Sequence, residues 1–165
     1  MPKRSSARNE KEVLSYDQAR EVGDLLRFAT ARMPSYVEVP ADAAALKAFD
    51  QKAADWGLPR IYVLSNKAAG QTSSALKALS AEFRRRALVA EIRVTAKRHA
   101  DVAARWDVTT FPTLLCLADG DSNSVRHRVR FDDPKQATFR RLENFVSKCA
   151  LRKPVLKKPA AKEEL

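Results

Sequence analysis

Cysteine and histidine are nearly absent: two of each occur in 165 residues. Cys116 and Cys149 lie far apart and match no metal-ligand or dithiol spacing, so the pattern indicates neither a disulfide framework nor a zinc site. The expectation for both is burial as small hydrophobes, Cys116 in an apolar strand and Cys149 on the inner face of a helix. His99 reads as a solvated helix residue and His127 as a partly buried imidazole. Neither has a ligand-spaced partner, so no metal or other cofactor is expected. No apolar run approaches the ~20 residues of a membrane span, and no membrane partner is expected. Met1 to Lys11 is polar and basic and lacks the apolar core of a secretory leader.

What the chain does have is apolar content sufficient for one core, at 45% of residues, and a formal net charge of +11. Such a charge favours acidic partners and a strong dependence on salt. The basic residues are spread through Arg84-Arg85-Arg86, Lys97-Arg98, Arg126 to Arg130, Arg140-Arg141 and a Lys-rich end. That distribution reads as a solvated basic surface, with a nucleic-acid site as the alternative.

Hydrophobic periodicity divides the chain. Val22, Leu25, Leu26, Ala29 and Met33 recur at helical spacing before Pro34, forming a stripe that needs a cover. Tyr36 to Val39 reads as a short strand, and Ala41 to Trp56 as a helix bearing Leu46, Phe49 and Ala53, ended by Gly57 and Pro59. The consecutive apolar residues Ile61 to Leu64 predict a central strand over Arg60 to Ser65, buried on both faces. A helix capped by Thr72 or Ser73 runs toward Arg86 with Leu76, Leu79 and Phe83 inside. Ala87 to Val94 reads as a strand in which Glu91 and Arg93 alternate with apolar residues, and Lys97 to Trp106 as a short helix.

Proline cannot donate to a ladder, so Pro112 belongs at the entrance of the strand Thr113 to Leu117, in a tight turn compatible with a cis bond. Asp119-Gly120-Asp121 predicts a hairpin, and the returning strand places Arg126, Arg128 and Arg130 on one face. Asp133 and Pro134 open a last helix bearing Phe139, Leu142, Phe145 and Val146. From Arg152 the Pro/Lys/Ala stretch has too little apolar surface to fold. The predicted architecture is a three-layer α/β sandwich, a mixed sheet with flanking helices, mainly parallel through right-handed crossovers and with an antiparallel edge from the C-terminal hairpin. Residues 1–34 are a tail plus amphipathic helix, 35–151 the domain, and 152–165 a disordered basic tail.

This order, with Ala103, Trp106 and Val108 preceding Phe111-Pro112-Thr113-Leu114, resembles the thioredoxin fold over about residues 36 to 150. The segments Ala75 to Arg84 and Glu91 to Arg93 are similar to modules of the protein disulfide isomerase family and their DnaJ-linked relatives, many of which are redox-inactive. Tyr16 to Met33 resembles the end of a preceding module in such tandem proteins, although Gln18 stands where a glycine is usual.

The resemblance places a catalytic dithiol between Ser65 and the helix beginning near Thr72. Exchange chemistry needs a low-pKa thiolate at a helix start and a second sulfur to resolve the mixed disulfide. This chain has Asn66-Lys67-Ala68-Ala69-Gly70-Gln71 there, without sulfur. Asn66, Gln71, Ser73 and Ser74 lack a positioned histidine base, so capping is the expected role of the hydroxyls.

No catalytic residue is therefore expected, and an enzyme is the less favoured reading. The resemblance implies a non-catalytic chaperone module or spacer in protein folding, whose Thr110, Phe111 and Pro112 offer backbone groups to unfolded polypeptides or to another module. The alternatives are a basic adaptor for an acidic protein or nucleic acid, and an oxidoreductase using one cysteine. Arg126, Arg128 and Arg130 read first as edge protection and second as contacts to an acidic partner. Lys162-Glu163-Glu164-Leu165 is close to the endoplasmic reticulum retention address, which implies a lumenal location if the full-length protein carries a leader and a cytoplasmic one otherwise.

Overall fold

The computed structural model describes residues 15–17, 19–117, 128–131 and 138–156. Two compact units divide at Arg32 and Met33. In the first, α1 (Val22–Arg32) buries no residue, and its Val22, Leu25 and Leu26 are exposed. Phe28 meets Tyr16 edge-on at 4.8 Å, and the Arg32 guanidinium covers its ring.

In the second unit the elements are β1 (Val37–Glu38), α2 (Ala43–Trp56), β2 (Arg60–Ser65), α3 (Ser74–Glu82), β3 (Leu88–Arg93), α4 (Ala100–Arg105), β4 (Thr113–Leu117), β5 (Arg128–Phe131) and α5 (Phe139–Ser147). Local chemistry sets their ends. Asp42 accepts the Ala45 N–H at 2.8 Å to open α2, and Gly57, at φ +61°, closes it in the left-handed conformation. Ser73, not Thr72, caps α3.

The sheet order is β1-β3-β2-β4-β5, with β2 central and all six of its residues buried, as its unbroken apolar run predicts. Alternation along the strands makes two cores. Tyr62, Leu64, Ile92 and Leu115 pack with α2 and α4, while Ile61, Val63, Val89 and Leu114 pack with α3 and α5. The result is a three-layer mixed sandwich.

The sheet is mixed, as the sequence implies, but the expectation that it is mainly parallel is corrected. β1/β3 and β3/β2 are parallel, but β2/β4 and β4/β5 are both antiparallel. Alternation of helices and strands specifies layers, whereas direction depends on where a connection delivers the chain. The Asp119 to Asp121 turn, the Asp133-Pro134 helix start and His127 lie outside the described residues.

A second correction concerns the cysteines. Cys116 in β4 and Cys149, just past α5, form a disulfide with Cα atoms 6.5 Å apart. Their separation of 33 residues carries no motif, and only the packing of α5 on this sheet face brings them together. A third concerns His99, expected in solvent. It is 6% exposed, with φ +55°, and its Nε2 donates to the Pro40 carbonyl at 3.2 Å. The stretch past Arg152, expected to be unfolded, is hydrogen-bonded to the domain as far as Val155, whose N–H donates to the Arg85 carbonyl at 2.8 Å.

Beneath α2, Arg60 is 1% exposed and pairs with Asp50 at 3.0 Å, and the Tyr62 hydroxyl donates to the same carboxylate. Burial first, and then the bond to Asp50, push the Tyr62 hydroxyl far above its ordinary value. Below the unfolded-state pKa of about 10 both states keep the proton, so this contribution is fully present there. Above it the unfolded chain loses the proton and the folded one keeps it, so stability falls as pH rises. Urea titrations between pH 9 and 11 should show a loss approaching ~1.4 kcal/mol per pH unit, and Tyr62→Phe should flatten that loss.

Candidate functional site: the sulfur-free loop and the proline turn

Residues 66–73 leave the C-terminal end of β2 and enter α3. Two polar ties hold this loop to β3. Thr72 Oγ1 donates to Glu91 Oε2 at 2.7 Å, and Arg93 Nη2 donates to the Gly70 carbonyl at 2.6 Å. Gly70 sits at φ +112°, a conformation that side chains rarely adopt. Arg93 also lies 3.5 Å from Glu91 Oε2, completing a part-buried Thr-Glu-Arg chain centred on the buried Glu91.

Facing the loop is the Phe111-Pro112 turn, whose peptide bond is cis. Thr113 Oγ1 donates to the Thr110 carbonyl at 2.7 Å and braces the turn from the strand side. Phe111 packs partly against the core, whereas Thr110 and Pro112 are exposed. Between turn and loop lies a cavity of about 180 Å³, bounded by Ser65, Asn66, Lys67, Glu91, Pro112 and Leu114. Ser65 Oγ is buried in its wall without a hydrogen-bond partner.

The loop offers polar contacts and carries no cysteine. Both cysteine sulfurs are joined in the Cys116–Cys149 bridge, so no thiolate is offered at the loop. Cys116 is fully buried in β4. His99 is bonded to Pro40 and supplies no base to the loop hydroxyls. Among the described residues no group of three or more His, Cys, Asp or Glu is placed to hold a metal.

The remaining expected site residues divide. Arg130 Nη1 donates to the Asp107 carbonyl at 3.1 Å, tying the edge strand β5 to the connection before β4. Arg126, the side chain of Arg128, and Lys162 to Leu165 lie outside the described residues. Glu91 and Arg93 were missed as site residues, because their alternation reads as a polar strand face. In a sheet covered by helices on both sides there is no solvated face for Glu91, and it is 1% exposed. That conflict between a charged alternation and a covered sheet was the available clue.

No protein-family model matches the chain, and no curated protein matches it at a significant level. Solved structures do. A thioredoxin from Nicotiana alata aligns with a TM-score of 0.54 at 18% identity, covering 71% of this chain and 95% of that one. A thioredoxin-like protein from Clostridium perfringens gives 0.52 at 14% identity, covering 76% and 90%. ERdj5 gives 0.52 at 16% identity over 75% of this chain and 17% of its own. The chain has the thioredoxin-like fold.

Proposed function

We propose that this chain is a redox-inactive thioredoxin-like module of the protein disulfide isomerase type, which assists folding by holding extended segments of unfolded polypeptide at the Thr110-Phe111-Pro112 turn. The observation that carries the reading is the pairing of an intact proline turn with a loop that contains no sulfur. A peptide lying along that turn gains main-chain hydrogen bonds while its side chains enter the adjacent cavity. The Lys162 to Leu165 ending fits retention in the endoplasmic reticulum when a leader is present on the full-length protein.

Two assays test this. Insulin reduction should show no turnover above the dithiothreitol background, and Cys116→Ser or Cys149→Ser should not change that result. Fluorescence anisotropy with a labelled unfolded polypeptide should show saturable binding, weakened about tenfold, or ~1.4 kcal/mol, by Thr110→Arg at the exposed flank of the turn. Insulin turnover lost with either serine variant would refute the proposal in favour of a single-cysteine oxidoreductase. Tighter binding to generic RNA or DNA, steeply weakened by salt, would refute it in favour of a basic adaptor.

A further inference from the structure

A second concavity lies at the opposite end of the parallel strands from the proline turn. It has a volume of about 370 Å³, and its walls come from β1, the C-terminal part of α2, the turn after α3 and the start of β3. That volume is at the lower end of those that enclose small ligands. Trp56, Leu58, Val37, Leu88 and Val89 make an apolar lining. Trp56 is half-buried, so its indole is part wall and part open surface.

The rim is charged with one sign in excess. Lys52 is neutralised by Glu38 at 2.5 Å, while Arg84 and Arg85, both exposed, form no ion pair among the described residues. Arg84 lies 4.4 Å from the centroid of the Tyr36 ring, a cation-π contact that orients it at the pocket edge. Arg85 is held at φ +61°, a left-handed conformation that is unfavourable for an ordinary L-residue. Strain of this kind persists only where the surroundings impose it. Here the turn closes on itself, with the Arg86 and Ala87 N–H groups donating to the Phe83 carbonyl at 2.9 and 3.0 Å. The C-terminal strap holds it: the Arg85 carbonyl accepts the Val155 N–H at 2.8 Å, and the Arg86 carbonyl accepts the Leu151 N–H at 2.9 Å. Arg86 Nε returns a bond to the Leu151 carbonyl at 2.7 Å, so the third arginine of the run is structural and the first two face the pocket.

From this geometry we infer a binding site for a small planar apolar acid, with the ring system against Trp56 and Leu58 and a carboxylate, sulfonate or phosphate group at Arg84 and Arg85. Guanidinium pairs bind such groups through parallel N–H donors, and a clamped turn lowers the ordering cost of binding. The site is independent of the proposed polypeptide site and shares no residue with it.

8-Anilinonaphthalene-1-sulfonate has the required chemistry and reports by fluorescence. It should bind the full chain with single-site saturation and shift the amide resonances of Val37, Glu38, Leu88 and Val89 together with the Trp56 indole. Arg84→Gln/Arg85→Gly should weaken that binding at least about tenfold. Because glycine relieves the left-handed strain, this variant should melt no lower than the parent, so a lost fold would not account for lost binding. The uncharged N-phenyl-1-naphthylamine should bind parent and variant alike. Resonance shifts scattered away from this rim, or sulfonate affinity unchanged in the double variant, would overturn the inference.

Discussion

Replacing both bridged cysteines, as Cys116→Ser/Cys149→Ser, is expected to lower the unfolding free energy by ~3–4 kcal/mol. The bridge closes a loop between residues 33 apart, and the chain-entropy cost that it removes from the unfolded state is of that size. The native side adds to the loss, because Cys116 is fully buried and serine would place a hydroxyl in an apolar core. In a domain of this size the melting temperature should fall by roughly 10 °C or more. The check is denaturant unfolding of the oxidised parent, the parent in excess dithiothreitol, and the double variant. Agreement of the two reduced forms within about 1 kcal/mol would assign the effect to the crosslink, while a larger gap would measure the cost of the buried hydroxyl. A double variant as stable as the oxidised parent would mean that the bridge contributes nothing.

The second large effect is expected at Asp50. Its carboxylate accepts from Tyr62 and forms an ion pair with Arg60, whose side chain is 1% exposed. Removing one partner of a buried pair costs about 3–5 kcal/mol, because the remaining charge keeps its desolvation penalty. Asp50 is 24% exposed on its side chain, so solvent screens part of the pair and the expected loss for Asp50→Ala is at the lower end, about 3 kcal/mol. Arg60→Met in the same background should recover part of that loss, since an apolar side chain of similar length removes the buried charge. Thermal and urea unfolding of the two single variants and the double variant give the coupling directly. Strict additivity would show that the contact at 3.0 Å contributes no pairwise energy.

The contrast between these two sites explains what was readable in the chain. The strands Arg60–Ser65 and Thr113–Leu117 have the bounds that their apolar runs imply. The end of α2 at Gly57 and the cap at Ser73 follow from residues that favour those backbone conformations locally. The turn at Pro112 follows from a proline placed where a strand begins, and a cis bond is compatible with it. At the candidate site, the missing sulfur of residues 66–71 is a fact of sequence alone. The ties from Glu91 and Arg93 that hold that loop were not readable, because their partners are about 20 residues away on another element.

His99 fails for the same reason. A lone histidine beside Lys97 and Arg98 reads as solvent-facing, yet its partner is the carbonyl of Pro40, 59 residues earlier. Arg84, Arg85 and Arg86 form one basic run in the chain, but the C-terminal strap takes Arg86 and leaves the other two at a cavity.

Sequence by itself determined the order of elements, the two-sided burial of the central strand, the proline turn and the absence of a thiol at the expected catalytic loop. Each of these depends on backbone periodicity or on residue identity within a few positions. Tertiary structure decided the direction of β4, the Cys116–Cys149 bridge, the burial of Glu91 and His99, and the division of labour among the arginines. Those features depend on distances between groups far apart along the chain, which are fixed only when two helical layers close on the sheet.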